Sequence, residues 1–132
     1  MRKLIVHLID DNDIDIAVNS KLLNLAKIGD EVLVYSSGSQ FIEAIHSNHS
    51  ELNKSDNIVL LDIMMPGLNG FQTMEKFNAL PAEETTSFNI FMLSSSIDRN
   101  DIKNAEATPR VLQVLEKPLD VYQLRRLIEG LQ

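Results

Sequence analysis

"NIVLLDIMMPGLNG" (57–70) contains a run and a turn, and a single acid separates them. From Ile58 to Leu61 four apolar residues follow one another without a break. A strand with one wet face alternates polar and apolar positions, so an unbroken run marks a strand covered on both faces, as in a parallel sheet. After Asp62 the chain turns. Pro66 fixes its own φ, and Gly67 and Gly70 tolerate backbone angles that other residues avoid.

Four other short β-rich runs surround this one: "KLIVHLI" (3–9), "EVLVYS" (31–36), "NIFMLS" (89–94) and "RVLQVLE" (110–116). Longer stretches with helical spacing separate them. Ile14, Val18, Leu22 and Leu25 share one helix face, and so do Leu124, Leu127, Ile128 and Leu131. Strand and helix alternate throughout, which predicts an α/β fold with βαβ crossovers and helices on both faces of a parallel sheet. Asp13 is suited to cap the first helix, and Asp120 falls in the opening turn of the last. Pro109 closes a weak helix that starts near Asp98. The polar stretches 46–57 and 78–89 read as loops or frayed helix ends within one domain.

With 132 residues, 44% of them hydrophobic and 23% charged, the chain suits one domain with one core. It has no cysteine, which excludes disulfides, thiolate metal sites and cysteine nucleophiles. The apolar start is too short for a membrane span and acids follow it at once, so a cytoplasmic location is expected. A net charge of −7 is not the basic footprint of a nucleic-acid binder. His7, His46 and His49 form no metal-site pattern and receive no role.

In a doubly wound sheet, ligands bind beyond the carboxyl ends of the strands. Asp10 and Asp11 end the first strand, Asp62 the third and Ser94 the fourth, and Lys117 follows the fifth. Three carboxylates against one ammonium leave about two negative charges uncompensated. A divalent cation offsets them, and Mg²⁺ favours one or two carboxylates together with water and a phosphate oxygen.

"IDDND" (9–13), "LLDIMMPGLNG" (60–70), "FMLSSS" (91–96) and "LEKPL" (115–119) occur in that order, one per strand end. The ordered set resembles the receiver domain of response regulators, the CheY-like family of two-component signalling, over essentially the whole chain. The resemblance implies a flavodoxin-like (βα)5 sandwich with strand order 2-1-3-4-5. It implies that Asp62 is the phosphoacceptor, and that Asp10, Asp11, Asp62 and the Met64 backbone carbonyl hold Mg²⁺ or a similar cation such as Mn²⁺. Ser94 corresponds to the switch hydroxyl, Lys117 to the phosphate-binding lysine, and Pro118 to the proline after a cis peptide bond. The implied partners are a sensor histidine kinase or histidine phosphotransfer protein and a downstream protein. The downstream protein would meet the face of the helix from Asp98, the fifth strand and the last helix. Such a domain is a signalling switch with self-phosphotransfer and slow autodephosphorylation, not a turnover enzyme.

Two positions depart from the family pattern. Val114 stands where Tyr or Phe is usual, and Ser95 where a smaller residue is expected. An aspartate-nucleophile phosphatase would need a second Asp two residues after the first, and Met64 stands there. A phosphate-independent interaction module would not need all five site residues. The chain ends at "LIEGLQ" (127–132), where the last helix should end, so residues 1–132 read as one receiver domain without an output domain.

Overall fold

The computed structural model describes residues 2–131. Five strands, β1 (Leu4–Ile9), β2 (Glu31–Tyr35), β3 (Asp56–Asp62), β4 (Phe88–Ser94) and β5 (Val111–Glu116), form one sheet in the order β2-β1-β3-β4-β5. Every pairing is parallel. The helices are α1 (Asp13–Leu25), α2 (Gly38–Leu52), α3 (Gly70–Ala79), α4 (Ala82–Thr85), α5 (Arg99–Ala107) and α6 (Val121–Gly130).

Strand alternation divides the core between two faces. Ile5 and Ile9 of β1, with Val59 and Leu61 of β3, pack with Phe41, Ile45, Met74 and Phe77 from α2 and α3. Val6 and Leu8, with Ile58 and Leu60, pack with Leu23 of α1 and Leu124 and Ile128 of α6. Both faces of β1 and β3 are therefore apolar, the arrangement that the unbroken run in β3 requires.

The structure departs from the sequence expectations at several points. Asn12, not Asp13, caps α1, its side chain accepting from the Asp15 amide at 3.0 Å. The expected apolar stripe of α1 faces largely outward: Ile14 is 74% exposed, Leu25 71% and Val18 44%. Asn19 and Leu23 are the buried residues of this helix. Periodicity shows which residues share a face, but not which face meets the sheet. In the second polar stretch a sixth helix appears, the single turn α4. It is anchored because Glu84 is buried and its carboxylate lies 2.8 Å from His46 Nδ1. Arg110 donates to the Thr85 carbonyl at 2.7 Å from the other side. The first polar stretch is mostly helix, since α2 runs on to the buried Leu52.

Candidate functional site

Asp10 directly follows β1, Asp62 ends β3, Ser94 ends β4 and Lys117 directly follows β5. Parallel pairing carries all four ends to one rim. Asp62 is in register with Leu93, Ser94 with Glu116, and the Lys117 amide donates to the Ser94 carbonyl at 2.8 Å. The Lys117–Pro118 bond is cis, as the proline suggested.

Asp10 is fully buried and Asp62 nearly so, whereas Asp11 is exposed. One carboxylate oxygen from each lies within 4.8 Å of the others. An oxygen-only set with this surplus of negative charge suits a hard divalent cation, and the exposed Asp11 leaves one side open to water ligands. Lys117 Nζ lies 2.8 Å from Asp10 Oδ2 and 3.2 Å from Asp62 Oδ2. Asp62 Oδ1 also accepts from the Met64 amide at 3.2 Å. Ser94 is buried, and its hydroxyl oxygen accepts from the Ser96 amide at 3.2 Å.

The charges explain the titration. Burial, and then the neighbouring Asp10 carboxylate, raise Asp62 from 3.8 to about 6 against the opposing pull of Lys117. Burial lowers the Lys117 ammonium, but hydrogen bonds to Asp10 and Asp15 and the charges of Asp62 and Asp10 outweigh it. Its pKa therefore stands above the ordinary lysine value.

The turn after Asp62 is held from below. Asn69 and Gln72 form a reciprocal capping box at the start of α3. Gly67 takes a left-handed φ of +74°. Gly70 does not; it is needed for clearance. A Cβ there would lie 2.7 Å from the Asp62 carbonyl oxygen and 2.9 Å from the Ile63 Cα.

One residue of this site escaped the sequence reading. Asp15, in the first turn of α1, accepts a hydrogen bond from Lys117 Nζ at 3.0 Å. The signal was present, because the acidic run continues past Asp13 to Asp15. Nothing in the spacing, however, indicated that α1 would turn this carboxylate toward the fifth strand.

The response regulator receiver domain family model matches residues 6–129. A response regulator receiver protein from Dyadobacter fermentans is similar in structure at 31% identity and a TM-score of 0.89, over 96% of each chain. A two-component response regulator from Cytophaga hutchinsonii is 28% identical with a TM-score of 0.87, covering 98% of this chain and 97% of its own. The receiver domain of the Arabidopsis thaliana histidine kinase CKI1, complexed with Mg²⁺, shares the fold at 17% identity. Its TM-score is 0.80, over 99% of this chain and 92% of its own. No curated protein matches the chain. A family match across nearly the whole length, over a fold of the same strand order, makes this chain a member of the response regulator receiver domain family.

Proposed function

We propose that Asp62 accepts a phosphoryl group from a phosphohistidine, and that the resulting aspartyl phosphate switches protein–protein contacts in a two-component relay. The observation that carries this reading is the meeting of the Asp62 carboxylate with Lys117 at 3.2 Å, beside Asp10 and Asp11. An Asp62 oxygen attacks phosphorus, the P–N bond breaks, and the departing imidazole nitrogen takes up a proton. With its pKa near 6, Asp62 is mostly ionised at neutral pH and available as the nucleophile. Lys117 neutralises one phosphoryl oxygen, and the Ser94 hydroxyl donates to another. Phosphoryl transfer depends mainly on such positioning and charge stabilisation.

Asp10, Asp11, Asp62 and the Met64 carbonyl are the groups that would hold Mg²⁺. When bound, the cation supplies the positive charge that the three carboxylates and the phosphoryl oxygens lack. Hydrolysis of the acyl phosphate by water then resets the domain slowly. The residues of the site thus act once per signal. The donor is a histidine kinase or a phosphotransfer protein, and the exposed Ile14 and Val18 beside Asp15 give it an apolar surface to cover. We place the domain in the cytoplasm, beside the histidine kinase or phosphotransfer protein that serves it; among the described residues no helix is long and apolar enough to cross a membrane.

The output face is α5, β5 and α6. Ile97, Ile102, Ala105 and Val114 line a recess of about 310 Å³ between α5 and β5. Val114 has no ring to bury behind Ser94, and only Ala105 of α5 is buried. Phosphorylation therefore acts mainly on residues 95–107, where few buried contacts resist rearrangement.

Incubation with acetyl phosphate and Mg²⁺, followed by mass spectrometry, tests the assignment. Asp62 should carry the added phosphoryl group, and Asp62→Asn or chelation should abolish labelling. Attachment at another residue would remove the basis of the proposal.

A further inference from the structure

Lys117 is held by an acceptor that the family reading does not use. Its ammonium has three hydrogens, and three carboxylate oxygens surround it: Asp10 at 2.8 Å, Asp15 at 3.0 Å and Asp62 at 3.2 Å. Two of these hydrogens go to Asp10 and Asp15 as hydrogen bonds, whereas the approach to Asp62 is an ion pair without hydrogen-bond geometry, so the ammonium is aimed away from the nucleophile. For Lys117 to turn squarely onto a new oxygen on Asp62, it must loosen its hold on one of these groups.

The three are not equally easy to release. The Asp10 side chain is 0% exposed, so losing the ammonium would leave a buried charge without its counter-ion. Asp62 is the group being modified. The Asp15 side chain is 40% exposed, and it lines a recess of about 310 Å³ with Lys117, Val18 and Pro118. Water can solvate its carboxylate once the contact is broken, so this release costs least. Asp15 also lies outside the trio of mutually close carboxylates.

We propose that Asp15 is a positioning residue that draws Lys117 toward α1 in the unphosphorylated protein and so lowers the affinity of Asp62 for a phosphoryl group. The inference rests on the receiver reading given above. An amide accepts more weakly from an ammonium than a carboxylate does. Asp15→Asn therefore frees Lys117 while preserving the shape of the side chain. Asp13→Asn is the control: it removes the same charge from an exposed site in the same helical turn, and Asp13 makes no contact with Lys117.

Beryllofluoride with Mg²⁺ mimics the phosphoryl group, and amide NMR titration measures its affinity. Asp15→Asn should tighten binding about three- to tenfold and Asp13→Asn by less than about twofold. In the metal-free protein, the ¹⁵Nζ signal of Lys117 should broaden through faster hydrogen exchange in Asp15→Asn and stay unchanged in Asp13→Asn. Equal gains in the two variants would mean that Asp15 acts on the anion directly through space, and would overturn the proposal. An unchanged affinity or an unchanged Lys117 signal in Asp15→Asn would overturn it as well. Failure of the wild-type protein to bind beryllofluoride strikes at the receiver reading itself, whereas equal wild-type and Asp15→Asn affinities strike only at Asp15.

Discussion

His7 and Asp10 are three residues apart, one in β1 and one just past its end, and neither side chain reaches solvent. Their surroundings differ in kind. Around His7 the polar groups are uncharged and satisfied. The Asn57 amide nitrogen donates to the Leu52 carbonyl at 2.7 Å and the Ser87 hydroxyl at 2.9 Å, which leaves its oxygen to accept from His7 Nε2 at 2.8 Å. His7 Nδ1 is then free to accept from the Tyr35 hydroxyl at 3.0 Å. Burial lowers His7 from 6.5 to about 4 despite the Asn57 bond, and burial together with the Glu31 charge raises Tyr35 to about 12. Both stay neutral near pH 7. Around Asp10 the polar groups are charged, and acids outnumber the one ammonium. Buried polarity in this fold stabilises where every donor finds its acceptor. It creates reactivity where one sign of charge is left in excess.

Perturbing each cluster should separate the two cases. The largest effect belongs to Asn57→Leu, which leaves the buried His7 Nε2 without a partner. It also removes one donor each from the Leu52 carbonyl and the Ser87 hydroxyl, which keep only the Ser55 amide and the Asn53 side chain. Urea denaturation should show a loss of about 3–5 kcal/mol. A loss below about 1 kcal/mol would mean that the network contributes little. Asp62→Asn should do the opposite. It should abolish phosphorylation and yet raise stability by roughly 1–3 kcal/mol at pH 7 without metal. The sign follows from the raised pKa. Between 3.8 and about 6 the folded state keeps a proton that the unfolded state has lost, so the wild-type residue costs stability as pH rises through that window. The gain should therefore vanish toward pH 4, and a gain that persists there would contradict the titration argument.

His7 has the reverse slope. Its contribution is complete above 6.5 and is lost as pH falls toward 4. In the wild-type protein the two groups partly cancel. Asp62→Asn removes one of them, so on acidification it should lose stability more steeply than wild type, by up to about 1.4 kcal/mol per pH unit. Parallel profiles from chemical denaturation in EDTA would deny the opposition. The smallest effect is expected of Tyr35→Phe, which removes a single neutral hydrogen bond, at about 1 kcal/mol. Its Asp62 labelling should match wild type, and an altered labelling rate would show that the two clusters communicate.

How far these clusters could be read from sequence follows the same division. The strands were legible because uninterrupted apolar runs such as Ile58–Leu61 have few alternatives. The strand-end residues Asp10, Asp62, Ser94 and Lys117 were legible because parallel topology gives every strand end the same destination. Asn57 was legible only as the first residue of a run, since its value lies in partners that are distant along the chain. His7 looked roleless for the same reason. The α1 stripe misled because Asn19, a polar residue, occupies the inward face, where its side-chain oxygen accepts from the Leu119 amide at 3.4 Å. Asp15 was hidden by that error, because its meeting with Lys117 depends on the rotation of α1.

Gly70 sets a mechanical tolerance for the nucleophile. The atoms a side chain would strike there include the carbonyl oxygen of Asp62 and the Cα of Ile63, and backbone atoms have no rotamer into which to retreat. Only the Met92 methyl, 2.7 Å from the same point, belongs to something that can swing aside. The first turn of α3 thus rests against the peptide that carries Asp62, with a hydrogen atom as the spacer. Any thicker spacer would lift the acid-bearing end of β3 away from its neighbours, so the working height of the carboxylate is gauged from beneath by the smallest residue available.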